Sequence, residues 1–135
     1  VNRDDVKGMI KALRQGEALW YAPDHDYGPR ASVFVPFLAV RDAATVTGTA
    51  TLARVKNSVV LPCYNIRLPK GGYQLIIEPP LQNYPTGDEI TDATRSNQVL
   101  EEAVHKAPAQ YMWLHRRFKT RPDGTKFRYN PGEQR

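Results

Sequence analysis

The segment Trp20-Tyr21-Ala22-Pro23-Asp24-His25-Asp26-Tyr27-Gly28-Pro29-Arg30 constrains this chain more than any other. Two prolines with fixed φ and a freely rotating glycine stop any helix from running through it. A short apolar strand, Ala18 to Ala22, is expected to end in a rigid turn built by Pro23, Gly28 and Pro29. That turn carries two carboxylates, an imidazole and a guanidinium between positions 24 and 30. Strand ends that present charged groups on a rigid loop are where α/β proteins place binding and catalytic side chains. A polar surface turn after a core strand is the competing reading of the same residues.

The chain has 135 residues, enough for one domain with a core but not for two. Its 41% apolar and 24% charged residues match a globular protein. No apolar run approaches the ~18 residues of a membrane span. Residues 1–15 are charged and helical in pattern, unlike a secretory leader. Cys63 is the single cysteine, so no internal disulfide can form. Within an apolar strand it is expected to be a buried, reduced thiol. The net charge of +5 is uneven: from Arg116 to Arg128 six Lys/Arg face one acid, Asp123. A basic stretch of this kind favours an anionic partner.

Val6, Met9, Ile10 and Leu13 recur at helical spacing after a cap at Asn2, and Gly16 stops that helix. Val33 to Val40 reads as an extended buried segment interrupted by Pro36. Asp42 is expected to cap a second helix with Val46, Thr49, Ala50 and Ala53 on one face. Ser58 to Tyr64 has the continuous apolar character of a strand covered on both sides. A break at Pro69-Lys70-Gly71-Gly72 leads to a strand from Tyr73 to Glu78. The longest helix runs from Asp88 to Lys106, with Ile90, Ala93, Asn97, Leu100 and Val104 inward. Gln110 to Thr120 suggests a further helical turn or two, with Tyr111, Trp113, Leu114 and Phe118 inward. This order suggests an α/β fold: a three-layer α/β/α unit with a mixed, mostly parallel sheet. It spans residues 1–122, and a loose basic tail occupies 123–135.

Several chemistries find no support. One cysteine and three scattered histidines, His25, His105 and His115, give no zinc-ligand spacing. Ser32, Ser58 and Ser96 sit in no nucleophile elbow. Thr47-Gly48-Thr49 falls within a helical stretch, where small residues allow close packing, and does not form a phosphate loop. Tyr111, Trp113 and Phe118 beside Arg116, Arg117 and Lys119 have the composition of a base-stacking surface. At helical spacing, core aromatics with a basic outer face are the plainer reading.

Three blocks carry a family resemblance: Trp20 to Phe37 (WYAPDHDYGPRASVFVPF), Ala43 to Arg54 (AATVTGTATLAR) and Ala107 to Pro122 (APAQYMWLHRRFKTRP). Together with Arg3 to Gly16 they resemble the C-terminal half of the bacterial lipid A biosynthesis acyltransferases, and most of all the lauroyltransferase type. The resemblance implies a glycerolipid-acyltransferase-like α/β fold, here incomplete. It implies transfer of an acyl chain from acyl carrier protein to a hydroxyacyl chain on the Kdo-bearing lipid A precursor. The place implied is the cytoplasmic face of the Gram-negative inner membrane. No cofactor or metal is implied.

In that family a His and an acid, H-x-x-x-x-D/E, activate the acceptor hydroxyl. Here the residues five places after the three histidines are Arg30, Gln110 and Thr120. The dyad is therefore expected upstream of Val1, and the chain should hold part of the acceptor-binding wall. The Pro23-Asp24 turn resembles the superfamily block that binds a phosphate-bearing acceptor, and Pro62 resembles the following block. The resemblance points to Arg3, Asp24, Asp26, Gly28, Arg30, Arg116, Arg117 and Lys119 as substrate-binding residues. Arg3 and Arg30 would meet phosphate or a developing oxyanion, because guanidinium is a permanent bidentate donor. Asp24 and Asp26 would orient those arginines or bind sugar hydroxyls. Gly28 would hold the turn. Arg116, Arg117 and Lys119 would meet phosphates, Kdo carboxylates or an anionic membrane surface. The other functional class is a basic nucleic-acid- or membrane-binding module without catalysis. Two carboxylates beside the basic surface speak against nucleic acid.

Overall fold

The computed structural model describes residues 5–126 and Tyr129. Helix α1 (Val6–Arg14) opens them, capped by the Asp5 carboxylate, which accepts from the Gly8 N–H at 2.8 Å. The expected cap Asn2 lies outside the described residues. Met9 and Ala12 are the buried positions of α1.

Strands β1 (Ser32–Phe37) and β2 (Val40–Val46) form an antiparallel hairpin. Strands β3 (Cys63–Arg67) and β4 (Tyr73–Ile77) form a second one. The sheet is therefore not one mostly parallel layer but two separate two-stranded antiparallel pairs. The physical reason is the brevity of the connections, since parallel neighbours need a crossover of a dozen or more residues. Leu38, at φ 52°, makes the tight reversal between β1 and β2. Leu68 to Gly72 makes the other, closed by Leu68 N–H to the Gly72 carbonyl at 3.0 Å.

Asp42 lies exposed in β2 and caps no helix; α2 (Gly48–Ala53) starts later. Val40–Val46 pairs with β1 instead, with Ala43, Ala44, Thr45 and Val46 buried. The small residues at 47–49 do serve close packing: a Cβ on Gly48 would lie 2.2 Å from the Tyr21 hydroxyl. Residues 18–22 form no strand. Of the expected strand 58–64, only Cys63 onward pairs in register, and Cys63 is exposed, not buried.

Helix α3 (Glu89–Lys106) matches its expected span. The Asp88 side chain caps it by accepting from Thr91 N–H at 2.7 Å. The buried carboxylate of Asp92 closes the approach loop, accepting from Thr86 N–H and hydroxyl at 2.7 and 2.8 Å. Ala93, Asn97 and Val104 face inward, whereas Ile90 is half exposed.

Asn97 shows how β1–β2 is fixed to α3. Pro36 breaks the register of β1 and leaves its carbonyl outside the ladder. The Asn97 amide donates to that carbonyl at 2.7 Å and to Thr45 Oγ1 at 2.9 Å. Glu101, one turn on, accepts from the Leu38 N–H at the hairpin reversal. The core is thus the seam between α3 and the first hairpin, filled by Val35, Phe37, Ala43 and Ala44.

After α3 comes a single 3₁₀ turn, Pro108–Gln110, and then irregular chain where a helix was expected. Pro108 removes a donor, and the N–H groups of Tyr111, Trp113, His115 and Arg117 make short-range bonds to backbone carbonyls in place of a helical ladder, while those of Phe118 and Thr120 go to side chains. Trp113 and Leu114 point outward, while Phe118 packs on Phe37 with ring centroids 6.0 Å apart. The start of the expected loose tail folds back, with Thr120 bridged to Lys126 and Arg121 N–H bonded to the Thr125 carbonyl.

Candidate functional site

The charged turn is built around Asp26. Its side chain is buried, and its Oδ1 accepts from the Gly28 N–H at 2.9 Å, a local Asx closure. Gly28 sits at φ 87°, where a side chain would be strained. The same Oδ1 accepts from the Thr120 hydroxyl, and Oδ2 from the Thr120 N–H, each at 2.8 Å. Charge-assisted bonds of this length are strong, so the turn is fixed to the segment 111–120 across 94 positions of sequence.

His115 makes a second tie. Its Nε2 lies 3.0 Å from the Asp24 carbonyl oxygen and 3.4 Å from the Tyr111 hydroxyl. Its Nδ1 meets the Met112 carbonyl. The His25 ring stands 5.3 Å from that of His115. His25 Nε2 and Asp24 Oδ1 are 4.0 Å apart, which is ion-pair range and too long for a hydrogen bond. Burial pushes the Tyr111 hydroxyl up to about 12, with the Asp24 charge adding to the rise.

Arg117 makes the third tie, and it corrects an expectation. Read as part of a basic outer face, it is instead 1% exposed. Its guanidinium donates to the Ala44 carbonyl at 2.6 Å, Thr45 Oγ1 at 3.1 Å and Asn97 Oδ1 at 3.5 Å. It also lies 4.8 Å from the Phe37 ring centre. Burial lowers its proton affinity, and Tyr111, Asp26 and Asp24 act in the opposite sense. A planar donor fork that meets three acceptors in the core cannot also reach a ligand outside it.

Asp26 is likewise committed to Gly28 and Thr120 and is held below the surface. Asp24 is half buried beside it, and Arg30 is exposed in the 3₁₀ turn Pro29–Ala31 that leads into β1. Arg116 is exposed and Lys119 half exposed. Arg3 lies outside the described residues. The structure therefore gathers Asp24, Asp26, Gly28 and Arg30 on one turn, and packs the 111–120 segment against it. The resemblance and the local charge pointed to Arg116, Arg117 and Lys119, and the ties made by His115 and Thr120 were not anticipated. Those two lie in the same HRRFKTRP block, and their place in it was the available signal.

Beside the turn runs a groove of about 330 Å³. Its walls are mainly apolar, from Trp20, Tyr21, Leu52, Leu61, Val99 and Leu100, and Pro23 and Asp24 also line it. Burial raises the proton affinity of Tyr21 in that wall, with smaller contributions from Tyr27 and Tyr84. Among the described residues no three His, Cys, Asp or Glu side chains cluster as metal ligands. No described helix is long and apolar enough to cross a membrane. The arrangement suits an amphiphile, with polar groups at the turn and an apolar chain in the groove.

Comparison with known proteins bears on the same residues. The chain is 57% identical over 130 residues to the lipid A biosynthesis lauroyltransferase of Escherichia coli (strain K12), covering 96% of this chain and 42% of that protein. It is 44% identical over 125 residues to the palmitoleoyltransferase of the same organism, covering 92% and 40%. It is 35% identical over 122 residues to the myristoyltransferase, covering 90% and 38%. The chain thus spans about two-fifths of the length of these relatives. Residues 1–120 match the family model described as bacterial lipid A biosynthesis acyltransferase, and on these grounds the chain belongs to that family.

Proposed function

We propose that this chain is part of an enzyme that moves a fatty acyl chain, lauroyl, from an acyl carrier protein thioester to a lipid A precursor. The acceptor is the hydroxyl of a hydroxyacyl chain on the Kdo-bearing precursor, met at the cytoplasmic face of the inner membrane. One observation carries this reading: the charged turn and the apolar groove meet at Pro23 and Asp24. A substrate with a polar head and an acyl chain fits both at once. The lauroyl assignment draws on the 57% identity to a lauroyltransferase, against 44% and 35% for relatives named for other chains.

In this reading Arg30 binds phosphate or the developing oxyanion with permanent charge. Asp24 orients a polar head group. Gly28 shapes the turn and Asp26 fixes its position. Arg3 contributes a further cation, and Arg116 and Lys119 meet anionic head groups. The general base and its acidic partner come from outside residues 1–135, because no histidine here has an acid five places on. Residues 1–135 alone accordingly transfer no acyl group.

The test uses the full-length enzyme that carries this sequence, acyl carrier protein thioester and lipid A precursor, with product followed by mass spectrometry. Arg30→Ala and Asp24→Ala should each lower kcat/KM by ten- to a thousandfold, roughly 1.4–4 kcal/mol of transition-state binding. The melting temperature should hold, since neither group is fully buried. Full activity in both variants, or unfolding of both, would make the turn purely structural. Turnover by residues 1–135 alone would move the base into this chain, with His25 and His115 as the first candidates.

A further inference from the structure

Three consecutive large apolar side chains stand in solvent just after the Pro108–Gln110 turn. Met112 is 65% exposed, Trp113 52% and Leu114 97%. A surface loop ordinarily turns at least one such residue inward, and isolated exposed apolar residues need no explanation. Here the whole run faces out, although its backbone is tightly held. Trp113 Nε1 donates to the Pro108 carbonyl at 2.8 Å, and the Trp113 ring meets Tyr111 edge-on at 4.9 Å. His115 N–H bonds the Met112 carbonyl at 3.3 Å. A tip already ordered loses little entropy when it meets a partner.

The chain around the tip is basic in sequence, although Asp24 approaches it through His115 and Asp123 interacts with Arg121. Between Glu102 and Asp123 the sequence holds five Lys/Arg and no Asp or Glu. Arg117 is buried, but Arg116 and Arg121 are exposed and Lys119 is half exposed. Trp with large aliphatic side chains at the centre and cations at the rim is the chemistry of the boundary between acyl chains and phosphate head groups. An apolar tip with a predominantly cationic rim matches an anionic bilayer in both its apolar and its charged layer.

We propose that Met112, Trp113 and Leu114 form a wedge that enters the acyl region of an anionic bilayer. Arg116, Lys119 and Arg121 lie at its phosphate layer. His115 follows the wedge directly and reaches the Asp24 carbonyl at 3.0 Å. Insertion therefore sets the turn from Asp24 to Arg30 at head-group depth, where a lipid acceptor presents its polar groups. The inference deepens the acyltransferase reading and rests on its membrane-surface setting.

The test is made in the intact protein that carries this sequence, in vesicles of phosphatidylethanolamine with a minority of phosphatidylglycerol. Cys63 and any other cysteine are replaced by serine. Leu114→Cys is labelled with a nitrobenzoxadiazole fluorophore, and Gln98→Cys, on the exposed side of α3, serves as control. At position 114 the emission should shift to the blue. Lipids carrying a nitroxide on the acyl chain should quench it several-fold more than at position 98, while aqueous iodide should leave it bright. Adding Arg116→Gln, Lys119→Gln and Arg121→Gln should reduce the lipid quenching at low salt. Quenching by iodide would place the tip in water, and shielding from both quenchers would place it under protein; either result overturns the wedge. Acyl transfer is measured separately in detergent micelles. Lipid quenching without any transfer would sink the reaction assigned above and leave the wedge, and the reverse would sink the wedge alone.

Discussion

The two hairpins have the same antiparallel design and opposite surroundings. Around β1–β2, polar groups are buried and paired: Arg117 with Ala44 and Thr45, Asn97 with Pro36 and Thr45, Asp26 with Thr120. Around β3–β4, apolar groups are exposed: Tyr73 at 74%, Leu75 at 60% and Ile77 at 60%, with Val59 at 68%. A two-stranded sheet is marginal in water by itself. The first hairpin is completed by α3 and the 111–120 segment. The second is completed on one side only. Among the described residues, its other face carries Tyr73, Leu75 and Ile77 open to solvent. The charged turn is attached to the completed region, so its geometry should survive changes in the other.

The largest effect should follow from Arg117. Arg117→Ala removes donors from three buried acceptors and leaves a void beside Phe37 and Phe118, at a cost of roughly 3–4 kcal/mol. Arg117→Met keeps much of the volume, so its loss of about 1–3 kcal/mol isolates the acceptors left without donors. Arg117→Lys should recover little, because a point charge cannot span the three acceptors. Denaturant unfolding measures all three. A loss under about 1 kcal/mol for the alanine variant would mean that the first hairpin does not depend on its polar ties.

A smaller effect should come from the bare face. Leu75→Ser with Ile77→Ser removes apolar surface that is mostly exposed here, so residues 1–135 should lose less than about 0.5 kcal/mol per site. In a full-length enzyme that covers this face the same pair should cost about 2 kcal/mol or more, since a fully buried side chain carries ~1.5–3 kcal/mol. Paired melting curves decide it. Equal losses in the two proteins would show that nothing covers the face.

The sequence made α3 legible because capping, inward spacing and the stop at Pro108 agreed over 18 residues. The second hairpin was legible from the glycines at its reversal. The β1–β2 hairpin was not, because its reversal uses Leu38 in the left-handed region and carries no glycine signal. Glu101, distant in sequence, satisfies that turn, and only tertiary structure shows it. The mostly parallel sheet was inferred from element order, which says nothing about how short a reversal can be. At the site, the turn from Asp24 to Arg30 was legible as a charged cluster on rigid backbone. The division of labour within it was not. A buried Asp and a half-buried Asp look the same until Thr120 is found opposite one of them.

The smallest effect concerns the latch that joins the second hairpin to α3. Lys106 Nζ donates to Glu78 Oε1 at 2.7 Å, and the Tyr64 hydroxyl donates to the same oxygen at 2.7 Å. These bonds lower the carboxyl of Glu78 below its ordinary 4.5, Lys106 being the larger cause, and raise the ammonium of Lys106 above its ordinary 10.5. A lowered acid contributes its stabilisation above its unfolded value and loses it as pH falls through the folded value. A raised base contributes below its unfolded value and loses it as pH rises through the folded one. The latch is therefore whole between the two ordinary values and opens first on the acid side. The groups are on the surface, so the global melting temperature should scarcely move and salt should weaken the pair. The local signal should be clear. The amide resonances of Ile76 and Glu78 should titrate with a midpoint below 4.5, and Glu78→Gln should abolish the transition. Gln110, which brackets Arg67 by donating to its carbonyl and accepting from its N–H, carries no charge and should hold that end of the hairpin throughout. A midpoint at or above 4.5, or a transition that persists in Glu78→Gln, would mean that the second hairpin is held to α3 by packing alone. In that case the contrast with the polar-tied first hairpin would be complete.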